Sequence, residues 1–403
     1  MIPHMMVYAG TYQDQHWFSD MQAPHLPGLL EAPAHGVGIG RYSLDLETGE
    51  LMLLGYTAAD NNPATLRVSP DQKYLYVAHE TKNFDNVKGA GGGVSAYSID
   101  QTNGDLRLIN IVSSCGTFPA HITVDRAGRF VVVANHASYF YNTRFHKTED
   151  GDYRPEVLRD VGSLVLFAVR EDGGLEEACD LQAIPGRGYD VFNQMSAHPH
   201  GVEIVSDDYV IAPDKGADTV DVFKLDRENR KLLPVEFFPS DPGAAPRHAA
   251  VHPSSPFLFV INEFNNKVVS YRWDRGTGKL TEIQQSFTVP PQFVGKSYTS
   301  CDIKIHPNGR FMYLTNNPPY ASIAAFVIDG ETGRMTLMGN YREIMRNFRE
   351  INIDPTGKYM VGGGMANDRM FVYKIDPETG ALRDTGKTAP ALFPSCTHFA
   401  RIG

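Results

Sequence analysis

Two histidines in the run His198-Pro199-His200, an arginine at 247 and a glutamate at 263 are the side chains here best suited to proton transfer beside a fixed cation. An imidazole or a carboxylate can take a proton from water, and a guanidinium within reach can hold the negative charge that develops on a carbonyl oxygen. Arg247 and Glu263 bracket RHAAVHPSSPFLFVINE, two β-rich runs joined by a Pro/Ser turn. A hairpin of that form brings its two ends together. The segment HPHGVEIVSDDYVIAPD has the same form with a shorter turn, so His198 and His200 open a hairpin that ends at Asp214.

The unit is repeated. TLRVSPDQKYLYVAHE (residues 65–80), HITVDRAGRFVVVANH (121–136), DIKIHPNGRFMYLTNN (302–317) and EINIDPTGKYMVGGGM (350–365) are further copies. The chain ends complete one more: PSCTHFARIG (394–403) reads as a first strand, and MMVYAGTY (5–12) as the missing second strand. Between hairpins lie outer pairs such as RMFVYKIDPETGALRDTG (369–386), in which D-x-x-x-G joins two strands. Each unit leaves an apolar face open, so the copies must stack on one another. Four strands per repeat, at roughly the 40–50-residue pitch of propeller blades, predict an all-β fold. The expected architecture is a seven-bladed β-propeller closed by pairing the N- and C-terminal strands, which removes its edges. One domain, residues 1–403, is expected, with loop insertions at about residues 13–34 and 137–160.

If each hairpin brings its ends together, seven pairs gather at one rim of the central channel. They are Asn62 with Glu80, His121 with His136, His198 or His200 with Asp214, Arg247 with Glu263, Asp302 with Asn317, Arg349 or Glu350 with the glycines at 362–364, and His398 with Thr11. The opposite rim is left with turn formers such as Pro70, Asp71, Pro307, Asn308, Pro355 and Thr356. Polar residues at strand ends ordinarily cap backbone groups or meet solvent, and the matching repeat positions of His121, His248 and His398 suit architecture. His198, His200, Arg247 and Glu263 differ, because they bring proton-transfer groups and a cation from adjacent blades to one mouth. They are the expected catalytic set. Arg349, His121, His136, Asp302 and Asp214 are expected substrate contacts. Arg144 joins them from the aromatic insertion ASYFYNTRFHKTEDGDYRPEVL (137–158), which leaves the rim at His136 and can overhang it as a lid.

Composition narrows the class. A net charge of -10 argues against a nucleic-acid surface and offers no polybasic membrane patch. No apolar run is long enough to span a bilayer, and the first residues lack the basic and apolar regions of a signal peptide. Cys115, Cys179, Cys301 and Cys396 lack metal-ligand spacing and read as free thiols in a reducing cytoplasm. GAGGG at 89–93 has no following helix to make a phosphate loop, and no G-x-S-x-G elbow is present. No cofactor or metal is expected. The expected partner is a small lactone or dicarboxylate, bound by a monomer or weak homodimer.

The sequence resembles the seven-bladed lactonases, a family that includes bacterial 6-phosphogluconolactonase and the fungal 3-carboxy-cis,cis-muconate cyclase. The resemblance covers essentially the whole chain. It is most specific in HPHGVEIVSDDYVIAPDKGADTVDVF (198–223), PRHAAVHPSSPFLFVINE (246–263) and IDPTGKYM (353–360). It implies a catalytic histidine at His198 or His200, a substrate-binding arginine at Arg247, an acidic residue at Glu263 and a second arginine at Arg349. The implied reaction is hydrolysis of a carbohydrate- or aromatic-derived lactone, with cycloisomerisation or non-catalytic binding as alternatives. The chain departs from the family pattern at Thr315-Asn316-Asn317, where many members have S-N-R, and at Gly362-Gly363-Gly364-Met365, where they have A-N-Q. Its aromatic insertion is also longer. A guanidinium for a phosphate or carboxylate is thereby missing, which predicts weak action on 6-phosphogluconolactone.

Overall fold

Seven four-stranded antiparallel sheets make up the structure, a computed structural model describing residues 4–12, 37–59, 62–205, 208–294, 300–342 and 348–403. Their inner strands are Pro394–Ala400 (blade 1), Pro63–Val68 (2), Pro119–Val124 (3), Glu203–Ile204 (4), Pro246–Val251 (5), Ser300–Ile305 (6) and Phe348–Ile353 (7). Blade 1 is composite: Met6 pairs with Ala400 and Thr11 with Pro394, joining the two ends of the chain. The ring is closed as the repeats require.

The second strand of each blade is packed on both faces by its neighbours, so strict apolar–polar alternation gives way to continuous apolar runs. Phe130–Asn135, Phe257–Asn262 and Phe311–Asn316 are buried at every position. One apolar cluster joins Phe259 and Ile261 of blade 5 to Met312 and Leu314 of blade 6, and another joins Val7 of blade 1 to Val361 of blade 7. Each fully buried Phe or Val contributes about 1.5–3 kcal/mol relative to exposure. The outer strands, such as Leu280–Phe287, are half-exposed.

The outer D-x-x-x-G turns explain their own sequence. Asp274 Oδ1 accepts the N–H groups of Gly276 (3.0 Å) and Thr277 (2.7 Å), and Gly278 follows at φ +76°. A Cβ on Gly278 would stand 2.3 Å from the ring of Tyr209 in the preceding blade, so glycine is needed for conformation and for the inter-blade contact.

Two sequence expectations change. Part of the insertion at 137–160 is a two-stranded hairpin, Tyr141–Lys147 with Tyr153–Arg159, exposed along both strands. Arg144 lies on it, pairs with Glu156 Oε2 at 2.9 Å and is 65% exposed, so it does not join the channel residues. Rotation about a free hairpin was not readable from the chain. The excursion expected at residues 13–34 lies outside the described residues.

Candidate active site

Channel residues are placed by a bulge that recurs at the start of the inner strands. In blade 5, Pro246 pairs with Asn262, and the next pair is His248 with Ile261, so Arg247 is the extra residue. The same shift follows Pro63, Pro119, Ser300 and Phe348. A bulge re-aims side chains and ends strict alternation, which lets both Arg247 and His248 contact other blades. Successive tiers result. One contains His200, Arg247, Cys301 and Arg349; the next contains His121, His248, Asp302 and Glu350. Contacts between blades that are not neighbours place these residues near the axis: the His121 and His248 rings of blades 3 and 5 lie 4.9 Å apart.

Asn62 and Glu80 face each other as expected, Glu80 N–H donating to Asn62 O at 3.0 Å, but the bulge shifts other pairs. Glu263 N–H donates to Ala245 O and His136 N–H to Phe118 O, so Arg247 and His121 sit deeper than their assumed partners. In blade 4 the residue matching Glu263 is Lys215, whose N–H donates to His198 O.

At the strand-end mouth, Glu263 is the centre of a buried ionic cluster. Its Oε2 accepts from Lys215 Nζ at 2.9 Å and from Arg247 Nε at 3.1 Å, and all three side chains are at most 5% exposed. Burial opposes the charge on Lys215, yet Glu263 and Tyr139 together outweigh it and hold the ammonium above its ordinary pKa. Arg247 also donates to the Cys301 carbonyl. Lys215 Nζ lies 5.8 Å over the Tyr139 ring, and Tyr139 lies 4.6 Å from the His198 ring. His136 stacks on His198 at 4.9 Å, and its Nε2 is 3.4 Å from Tyr139 Oη.

Inward from this cluster, Asp302 Oδ1 accepts from His248 Nδ1 at 3.0 Å, and His248 Nε2 faces His200 Nδ1 at 3.2 Å. With His248 Nδ1 donating to a carboxylate, its Nε2 accepts in the neutral tautomer, so His200 donates through Nδ1 and keeps a lone pair on Nε2. Burial, reinforced by Arg247, holds the His200 pKa well below its ordinary value; burial, reinforced by Lys215, does the same to His136. His248 is pushed down to about 3 by burial and Arg247. Burial opposes ionisation of Asp302, but Lys304 and the bond from His248 outweigh it and hold that carboxyl far down. These imidazoles are neutral at physiological pH and can accept protons. Across the channel, Arg349 of blade 7 reaches Glu80 Oε2 of blade 2, which also accepts from Tyr12 Oη. Glu80 Oε1 is buried with no partner among the described residues.

His198, His200, Arg247, Glu263 and His136 therefore lie in one cluster, with Arg349 across the channel against Glu80. Asp302 and His121 lie deeper, in the wall behind them. Asp214 has a positioning role: its Oδ1 accepts the N–H groups of His198, Gly216 and Ala217, each at 2.8 Å, and so fixes the backbone that carries His198. Lys215 and Tyr12 were not picked out from the sequence, and Tyr139 was counted only among the aromatics of the insertion. Lys215 follows Asp214 in the same P-D-K-G run, and correct alignment of the second strands would have found it.

His121, His248 and Glu350 offer donor atoms within 4.8 Å of one another. Their nitrogens, however, face cations: Arg67 Nη2 is 3.5 Å from His121 Nε2, and Arg247 Nη1 is 3.3 Å from His248 Nε2. The cluster suits hydrogen bonding better than a divalent cation.

The family model for Lactonase, 7-bladed beta-propeller, matches residues 6–399. The chain is 30% identical to the 6-phosphogluconolactonase of Formosa agariphila, over 86% of this chain and 91% of that one. It is 28% identical to the Bacillus subtilis 6-phosphogluconolactonase, over 90% and 94%. The solved periplasmic gluconolactonase of Pseudomonas aeruginosa superposes at a TM-score of 0.82 over 99% of this chain and 100% of that one, at 24% identity, a likeness of fold. No helix among the described residues is long and apolar enough to cross a membrane. On the match of the family model to nearly the whole chain, this protein belongs to the seven-bladed β-propeller lactonase family.

Proposed function

We propose that the protein hydrolyses a small carbohydrate-derived lactone at the mouth where Lys215, Arg247 and Glu263 meet. The observation that carries this reading is the pairing of that cationic cluster with neutral, oriented imidazoles. Water adds to the lactone carbonyl as His200 Nε2 takes its proton. Asp302, through His248, holds His200 in the accepting tautomer. Arg247 and Lys215 stabilise the oxyanion, and Glu263 keeps both cations in place. Collapse of the adduct breaks the ring C–O bond, and the imidazolium returns its proton to the departing alkoxide. Glu263 Oε2 is committed to Lys215 and Arg247, which leaves the base role to the imidazole. The names of the relatives support lactone hydrolysis over cyclisation and a sugar-derived ring over an aromatic-derived one.

The substrate is proposed to lack a phosphate. Arg247 and Lys215 are tied to Glu263, Arg349 is tied to Glu80, and Asn317 stands where many members have arginine. A neutral amide does not replace a bidentate guanidinium contact to a dianion. The test is pH-stat assay of glucono-δ-lactone, 6-phosphoglucono-δ-lactone and a muconolactone. Higher kcat/KM on the unphosphorylated sugar lactone is expected. Equal or better turnover of the phosphorylated ring would refute the substrate assignment, and no acid release from any of them would refute the reaction.

A further inference from the structure

The other end of the channel is not a bare rim of turns. Inner strands alternate with a period of two beyond the bulge, so the residues two places after the His121–Glu350 tier return to the channel. They include Arg67, Glu203, Lys304, Asn352 and His398. They line a cavity of about 580 Å³ that also meets the hairpin turns at Pro253 and Pro307, which sets its mouth on the turn face. That size falls within the range for small-molecule sites.

The charge of this cavity runs against that of the chain. Arg67, Arg126, Arg275 and Lys304 line it, against the carboxylates of Glu203 and Asp302, in a protein of net charge -10. Both carboxylates are occupied: Glu203 by Arg67 at 2.5 Å, and Asp302 by Lys304 at 2.8 Å as well as by His248 and the Ile351 N–H. Arg126 and Arg275 are exposed and make no ion pair among the described residues; Arg275 only lies 5.8 Å from the Trp273 ring. His398 directs Nδ1 to the Phe399 carbonyl at 3.1 Å. The buried contacts of His248 with His121 and with His200 stand between this cavity and the Arg247–Glu263 cluster.

We propose that the turn-face cavity binds a small phosphate-class anion, a phosphate monoester or a diphosphate, separately from the lactone. Inside, Arg67 and Lys304 are balanced by Glu203 and Asp302 and offer N–H donors; the uncompensated charge is that of Arg126 and Arg275 at the lip, guanidinium groups suited to bidentate contact with phosphate oxygens. The inference does not depend on the reaction proposed for the opposite mouth.

Calorimetric titration of the full chain at low ionic strength, with pyrophosphate and with glucose 6-phosphate as probes, tests it and separates diphosphate from monoester. Saturable binding of at least one probe is expected. Combining Arg126→Ser with Arg275→Ser should weaken it at least about tenfold, each charge-assisted contact being worth that much or more, while lactone hydrolysis stays unchanged. Lys304→Met provides a second, interior variant and should weaken binding further. Arg247→Lys should bind the probe like the natural protein. Absence of saturable binding overturns the proposal. So does an equal loss on Arg170→Ser, a surface arginine outside the cavity, because it would mean unspecific charge attraction. Displacement of the probe by lactone, or its loss in Arg247→Lys, would also overturn it by placing the anion at the other mouth.

Discussion

Arg247 and Glu263 stand at the two ends of one hairpin, and Nε of the first lies 3.1 Å from Oε2 of the second, both within a few per cent of complete burial. The contact does not come from strand pairing, since Glu263 is opposite Ala245 in the backbone ladder. It comes from the bulge at Arg247, which turns an extra side chain back toward the hairpin's far end. On the proposed reaction the pair is catalytic machinery as well as buried electrostatics.

That double role fixes the outcome of removing either partner. Glu263→Gln should lower kcat/KM by about 10²–10³ and also destabilise the fold by about 3–5 kcal/mol, because Lys215 and Arg247 lose their buried counter-charge. On a solvated rim such a change would leave stability nearly alone; burial of both side chains makes it costly here. Arg247→Lys keeps the charge and should lose activity with a smaller fall in melting temperature. Full activity in Glu263→Gln, measured by pH-stat beside a denaturant melt, would displace the site.

A second pair concerns pH. Asp221, fully buried in blade 4, has both carboxyl oxygens without a hydrogen-bond partner among the described residues. Burial, reinforced by Asp214, raises its pKa well above the ordinary value. An acid with a raised folded pKa costs stability as pH climbs above its unfolded pKa of about 4, at about 1.4 kcal/mol per unit until the folded value is reached. Asp221→Asn should then melt higher than the natural protein at pH 7, with the gap closing near pH 4. A gap that is independent of pH would show that Asp221 is not protonated in the fold.

The closing strand gives a third test. Deleting residues 394–403 removes the inner strand of blade 1 and bares the edge of His4–Thr11. Exposed apolar edges pair with other chains, so the truncated protein should aggregate on expression. A monodisperse, folded species in size-exclusion chromatography would contradict closure through this blade.

The hairpin Tyr141–Arg159 can be cut away cleanly. Tyr141 pairs with Arg159, and every residue of both strands is exposed. Replacing residues 142–158 by two glycines, with Tyr139 kept in place, should leave the melting temperature nearly unchanged. If the hairpin covers bound lactone, KM should rise several-fold with kcat preserved. Unchanged kinetics would rule out that cover.

Much of this was written locally. Alternating β-rich runs, Pro/Ser turns and D-x-x-x-G motifs specify hairpins through short-range sterics and side-chain caps, and the complementary half-units at the chain ends demand a closed ring. Arg247, Glu263, His198, His200, His136 and Arg349 could be placed near one mouth because a hairpin must return to its start. The bulge after the first residue of the inner strands could not be read, since an extra residue is defined only by what its partner strand leaves unpaired. It shifted the assumed pairs of His121 with His136 and Arg247 with Glu263 while Asn62 stayed opposite Glu80, put Lys215 where Asp214 was expected, and sank His121 and Asp302 into a buried wall. Nor could the sequence show that Arg67, Glu203, Lys304 and His398, from four different blades, share one cavity. Those side chains meet only because seven sheets pack around an axis, and distance across an axis has no counterpart in distance along the chain.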